Sequence, residues 1–103
     1  MDKFFALSAP IRRQILAVLA DGEELTASAI ADLFKVTPPA ISQHLKVLLE
    51  SDLVKMHKKA QQRIYTLNPL SFKELEEWAS DMTKQIGKIG HMADIDDRVT
   101  SQE

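Results

Sequence analysis

The sequence contains no cysteine, which excludes disulfides, thiolate nucleophiles, thiol redox sensing and every cysteine-based metal site. Only three of its 103 residues are glycine and four are proline, little material for a Gly-rich phosphate loop. No apolar run approaches the ~20 residues of a membrane-spanning helix, and Met1-Asp2-Lys3 opens no secretory signal. A protein neither embedded in a membrane nor exported, hence cytoplasmic, is expected. G-x-S-x-G, H-E-x-x-H and Walker patterns are missing, as is a close carboxylate pair, and Ser42 and His44, two apart on a helix, do not face each other. No catalytic residues are expected. What is present is ordinary for a soluble chain: 45% hydrophobic and 27% charged residues, at the length of a single domain.

The net charge of −2 conceals an uneven distribution. Residues 1–34 carry three basic and five acidic groups, and residues 64–103 carry four and eight. Between them, residues 35–63 hold six basic groups (Lys35, Lys46, Lys55, Lys58, Lys59, Arg63) against Glu50 and Asp52. A basic middle inside an acidic chain is a local electrostatic feature and points to an anionic partner for that segment.

The order of elements is legible from periodicity and caps. Asp2 to Leu7 reads as a short helix with Phe4, Phe5 and Leu7. Ser8 is expected to cap a second helix with Pro10 in its first turn, an apolar face of Ile11, Ile15, Leu16, Val18 and Leu19, and a left-handed stop at Gly22. Thr26 caps a third helix, Ala27 to Phe34, with Ile30, Leu33 and Phe34 inward. After a short break, Thr37 caps a fourth, with Pro38 and Pro39 in its first turn. In this helix Ile41, Leu45, Leu48 and Leu49 share one face. Pro39, Ser42, Gln43, Lys46 and Glu50 share the other, with Ala40, His44 and Val47 at the flanks. A short helix, a tight turn and a longer helix with a polar outer face form a helix-turn-helix pattern.

The period then changes. Leu53 to Lys58 and Arg63 to Leu67 are short β-forming runs joined by Lys59-Ala60-Gln61-Gln62, a two-stranded hairpin with a basic, amide-rich tip. Asn68-Pro69 ends it, and Ser71 with Glu74 fits a capping box for a last helix. That helix carries Phe72, Leu75, Ala79, Met82, Ile86 and Ile89 at alternating spacings of three and four, a seam for packing on another helix. Gly87 and Gly90 weaken it. The expected organisation is one domain over residues 1–90 and an acidic, frayed tail over 91–103. The fold class is mainly α with a two-stranded β-hairpin wing, a winged helix-turn-helix.

The wording resembles one family. Ala6-Leu7-Ser8-Ala9-Pro10-Ile11-Arg12-Arg13-Gln14-Ile15-Leu16 is similar to the "ALADPTRRRIL" opening of bacterial ArsR-type repressors. Ile41-Ser42-Gln43-His44-Leu45-Lys46-Val47-Leu48 resembles their "VSRHLKVL" recognition helix, and Leu53-Val54 their "GLV" entry into the wing. The resemblance implies a homodimer that binds operator DNA and represses its own operon. Two departures bear on it. No cysteine stands around Ala27 to Asp32, and aligning His91 with the zinc-type pattern places Ser80 and Trp78 where His and Asp are needed. The resemblance is therefore to a non-metal, autorepressor-like member, with no metal or cofactor. Asp52 and Ala60 stand where such relatives often have glycine, so the helix exit and the wing tip are expected to bend differently.

The expected DNA contacts are Thr37, Ala40, Ser42, Gln43, His44 and Lys46 on the fourth helix, and Lys58, Lys59, Gln61, Gln62 and Arg63 on the wing. Gln43 leads for base reading, because its amide both donates to and accepts from adenine. Ser42 and Thr37 suit phosphates. Phe4, Phe5, Leu75, Trp78, Ala79, Met82 and Ile86 are assigned to a dimer interface, since one small domain has little means of covering so much apolar stripe. Arg12 and Arg13 stay open between phosphate contacts and ion pairs with nearby acids. The alternatives are a sensor repressor that takes a metal or small-molecule inducer through its last helix, and a winged helix that docks a protein. His91 with Asp94 reads as a solvated pair, not as a metal site.

Overall fold

Short polar side chains and prolines set where the helices of this chain begin. The computed structural model describes residues 1–22 and 24–88. In chain order they form α1 (Lys3–Leu7), α2 (Pro10–Gly22), β1 (Glu24–Thr26), α3 (Ala27–Leu33), α4 (Pro38–Glu50), β2 (Val54–Lys59), β3 (Gln62–Leu67) and α5 (Pro69–Lys88). Asp2 accepts from the Phe4 amide at 3.2 Å, Thr26 from Ala29 at 3.0 Å and Thr37 from Ala40 at 3.3 Å. Each bond satisfies an amide that has no partner inside its own helix. Pro10, Pro38 and Pro69 open α2, α4 and α5, where a missing N–H loses nothing.

Several local expectations change. Because Asp2 is spent on the cap, α1 begins at Lys3. Ser8 does not cap α2: its hydroxyl donates to the Phe5 carbonyl at 2.6 Å and closes α1, while the Ala9 carbonyl receives the Arg12 and Arg13 amides. Gly22 is the last residue of α2, and no described glycine has a positive φ, so no left-handed glycine stops that helix. Leu33, expected inward, is 58% exposed, and Ile30 is the one residue of α3 fully buried in the core. Ser71 is the third residue of α5 and not its cap, contrary to the expected capping box. Asn68 starts α5 a turn earlier, its Oδ1 accepting from Leu70 at 3.3 Å. Ser71 is buried inside the helix and donates to the Asp52 carbonyl at 2.6 Å.

The expected two-stranded wing is part of a three-stranded antiparallel sheet, ordered β1-β3-β2. Glu24, Leu25 and Thr26 pair with Thr66, Tyr65 and Ile64. Strands β2 and β3 run in register from Val54↔Leu67 to Lys59↔Gln62, leaving Ala60 and Gln61 as a two-residue turn. Ala60 and Asp52 are the only described non-glycine residues with positive φ, at 58° and 64°. The helix exit and the wing tip therefore both adopt the left-handed conformation that glycine takes most readily.

The chain divides into two units, Met1–Ser71 and Phe72 onward. In the first, Ala6, Ile15, Leu16, Leu19, Ile30, Ile41, Leu45, Leu48, Leu53, Val54, Ile64 and Tyr65 form the core. Every element from α1 to β3 except β1 contributes to it. In the second, α5 is an amphipathic helix with Phe72 and Leu75 half-buried and Trp78, Met82 and Ile86 exposed. Residues Ile89 and Gly90 of the expected seam, and the acidic tail over 91–103, lie outside the described residues.

The left-handed Ala60 generates a test. A side chain at that φ costs about 1–2 kcal/mol relative to glycine. Ala60→Gly is therefore expected to raise unfolding free energy by about 1 kcal/mol in urea titration once the entropy of glycine is deducted. An unchanged or lower midpoint would contradict the turn geometry.

Candidate nucleic-acid interface

Burial fixes which side of α4 is available. Ile41, Leu45 and Leu48 point into the core, each at or below 2% exposure. Ser42, Gln43, Lys46, Pro39 and Glu50 are exposed on the opposite side, and Ala40, His44 and Val47 are half-buried between the two faces. Burying a Leu or Ile side chain contributes ~1.5–3 kcal/mol, so turning this stripe outward would forfeit much of the 5–15 kcal/mol that typically holds a domain folded. The orientation of Ser42, Gln43 and Lys46 follows from the core. Thr37 is exposed at the helix start, its oxygen engaged by Ala40 and its hydroxyl proton still able to donate.

The wing carries its charge at some expense. Lys58 stands directly opposite Arg63, and Lys59 opposite Gln62, with Gln61 in the turn. All five are exposed. Like charges facing each other across two strands are destabilising, so the tip is held positive against a local stability preference. Strand β1 stops pairing at Thr26↔Ile64, and the hairpin from Lys58 to Arg63 extends beyond it as two strands.

Arg63 joins the two surfaces. With Ser42, Gln43 and Lys46 it borders a cleft of about 300 Å³ floored by Leu45, Leu49, Met56 and Tyr65. A neighbouring hollow of about 220 Å³ places Gln61, Gln62 and Arg63 beside Thr26 and Ser28. Ser28 also lines a third depression, of about 240 Å³, with Pro38 and Ser42. The sequence reading did not include Ser28. Its position depends on β1, which ties the start of α3 to the wing strand, and no pattern in three residues announces that strand.

His44 is turned away from this surface, toward Arg12 of α2. Its Nδ1 lies 3.3 Å from Arg12 Nη1. Burial, and then the Arg12 charge, hold its pKa below the ordinary 6.5. Arg12 itself is buried, and neither expected role fits it. Its Nε donates to the Ala6 carbonyl at 2.7 Å, its Nη2 to the Phe5 carbonyl at 3.1 Å, and its guanidinium lies 5.2 Å from the centre of the Phe5 ring. It satisfies the Ala6 carbonyl at the end of α1 and joins the Ser8 amide and hydroxyl on the Phe5 carbonyl. Arg13 does the same from the surface, donating to the Leu7 carbonyl at 2.6 Å.

The residues expected at a dimer interface fall on two elements. On α1, Phe4 and Phe5 are 47% and 52% exposed. On α5, Trp78, Met82 and Ile86 are 53%, 44% and 56% exposed, Ala79 is exposed and Leu75 is half-buried. Among the described residues no group of three or more His, Asp or Glu side chains is placed to hold a metal, and no helix is long and apolar enough to cross a membrane. His91 and Asp94 lie outside the described residues.

Residues 7–57 match a family described as a helix-turn-helix domain. The chain is 37% identical over 75 residues to the transcriptional repressor SdpR of Bacillus subtilis (strain 168), covering 73% of this chain and 82% of that protein. It is similar to the crystal structure of an ArsR family transcriptional regulator, with a TM-score of 0.73 and 28% identity over 80% of this chain and 84% of the other. HlyU from Vibrio cholerae N16961 matches with a TM-score of 0.64 and 32% identity, over 77% of this chain and 85% of that one.

The two arginines give a paired test. Arg12→Ala removes a buried cation and the Nε donor to the Ala6 carbonyl, while the Phe5 carbonyl keeps the Ser8 amide and hydroxyl; the expected loss is about 3 kcal/mol in chemical denaturation. Arg13→Ala, at the surface, is expected to lose under about 1 kcal/mol. Equal losses would contradict the assignment of Arg12 as the structural member of the pair.

Proposed function

The chain belongs to the ArsR family of DNA-binding transcriptional repressors, and from that premise we propose that it acts as a homodimer on a palindromic operator. In this reading α4 enters the major groove and the tip of the β2–β3 wing follows the flanking backbone. The observation that carries it is Arg63, which puts the basic wing and the polar face of α4 around one groove. A helix about 10–12 Å across fits a major groove ~12 Å wide. Gln43, exposed at the middle of that face, is the base reader, since its amide pairs with adenine N6 and N7 together. Ser42, Thr37 and Lys46 take phosphates, and Lys58, Lys59, Gln61, Gln62 and Arg63 take the backbone beside them. Ser28, next to the wing, joins them as a further phosphate donor. The opposed Lys58 and Arg63 favour this assignment, because a phosphate between two cations converts their repulsion into attraction.

Two copies are needed for two half-sites, which a symmetric dimer meets about one helical turn apart or a multiple of it. Exposed Phe4 and Phe5 on α1, and Trp78, Met82 and Ile86 with Leu75 and Ala79 on α5, are the surfaces assigned to the second copy. Several large apolar side chains on one helix face exceed the scattered exposure normal for a monomer. The SdpR and ArsR-type relatives support repression, and the promoter of the chain's own gene is the first operator to test.

Titration of the protein into that promoter fragment is expected to show specific binding that weakens about a thousandfold between low and physiological salt, given six to eight phosphate contacts with a slope of about −0.9 each. Binding insensitive to salt would contradict the basic groove. Gln43→Ala is expected to lower preference for the operator over unrelated DNA by about 1–3 kcal/mol. Equal weakening on all sequences would make Gln43 a backbone contact. Met82→Asp or Ile86→Asp is expected to give monomers by sedimentation and to weaken operator binding; variants that stay dimeric would refute the assigned seam.

A further inference from the structure

We propose that Arg12 and His44 form a latch that positions the recognition helix α4 against α1 and opens on acidification, making operator affinity depend on pH. The inference rests on the DNA-binding reading above and adds to it a positioning pair outside the contact surface. Arg12 reaches from α2 to two other elements at once. Three of its contacts are with α1: the Ala6 carbonyl, the Phe5 carbonyl and the Phe5 ring. The fourth, from Nη1, is with His44 on α4 at 3.3 Å.

The chemistry of this contact allows one protonation state. A guanidinium only donates, so His44 Nδ1 must be the accepting nitrogen and the ring proton sits on Nε2. A protonated imidazole has N–H on both nitrogens and no acceptor left. It would then present a donor to a donor and a cation to a cation. Arg12 is held by its bonds to α1 in a buried place, so His44 is the partner that yields. It rides on α4 next to Gln43, and its departure removes a tie between the recognition helix and the rest of the headpiece.

The elements packed on α4 are α1, α2, α3 and β2. Their charged groups are Lys3 on α1; Arg12, Arg13 and Asp21 on α2; Asp32 on α3; and Lys55, His57, Lys58 and Lys59 on β2. Lys46 and Glu50 lie on α4 itself. Arg13 is engaged by the Leu7 carbonyl, and Arg12 is the charge that acts on His44. Burial first and Arg12 second lower the folded-state pKa of His44. The unfolded chain therefore binds the proton first as pH falls below about 6.5. Stability from the neutral ring is complete above that value and is lost as pH drops toward the lowered one. The latch opens once pH passes through the lowered value.

The test compares wild type, His44→Asn and His44→Leu on the promoter fragment at constant ionic strength, near pH 7.5 and at a lower pH, below the midpoint at which nitrogen NMR shows His44 of the folded protein to titrate. Asparagine offers Oδ1 in the place of Nδ1 and does not titrate, and leucine offers no acceptor. Wild type is expected to lose about tenfold in affinity at the lower pH, the effect of one lost bond to a charged group. His44→Asn should show no such loss, and His44→Leu should be weak at both values. Every other titratable group is common to all three proteins, so its contribution cancels in the comparison. Identical pH responses in wild type and His44→Asn would overturn the latch. If no protein binds DNA at either pH, the functional reading fails and the latch is decided by nitrogen NMR. An unprotonated Nδ1 at neutral pH, with the Arg12 Nε–H signal broadening as His44 titrates, supports it. A protonated Nδ1 at neutral pH, or an Arg12 signal indifferent to the titration, overturns it.

Discussion

The burial of Ile41, Leu45 and Leu48 is the constraint on which the rest of the interface depends. Three side chains at spacings of four and three leave α4 one rotation about its axis, and that rotation exposes Ser42, Gln43 and Lys46 together. Nothing on the outer face needs to position itself. Thr37 and Pro38 add a defined start, so the face also has a fixed register along the axis. Apolar packing on one side of a helix thus places polar chemistry on the other.

The wing obeys a different economy. Strand β3 is paired on both edges, by β1 and β2, and this anchors the base of a hairpin whose tip carries opposed cations. A left-handed Ala60 in the turn adds backbone strain to that charge repulsion. Both unfavourable terms sit at the same end of the hairpin, while Val54, Ile64 and Tyr65 bury the other end. A local conflict of this kind at the tip of a well-anchored element is the pattern expected where a surface is shaped by an anionic partner.

Much of this was legible in the sequence, for identifiable reasons. The sorting of α4 into inner, outer and flanking residues follows from helical period alone, and of the twelve residues so sorted eleven have the burial expected of their side, with Leu49 half-buried at the edge of the core. The caps at Thr26 and Thr37 are local chemistry and were equally readable. What was not readable depends on partners distant in sequence. Strand β1 is three residues long and owes its existence to β3, forty residues on. Arg12 reads as a surface cation until the carbonyls of α1 are placed around it. Ser71 reads as a cap until Asp52 is seen to need its hydroxyl. Ser28 becomes a candidate contact only when β1 has brought α3 beside the wing. The ArsR resemblance, carried by two separated motifs, was the strongest pointer to function, and the similarity to SdpR and to HlyU agrees with it.

Backbone amide shifts followed by NMR while the promoter duplex is added test the central claim most directly, because they locate contact without altering a residue. The account predicts changes grouped on the outward residues of α4 and on the wing from Lys58 to Arg63, with Ser28 moving in concert and the inward stripe of α4 little affected. Changes centred elsewhere, with α4 and the wing tip undisturbed, would contradict it.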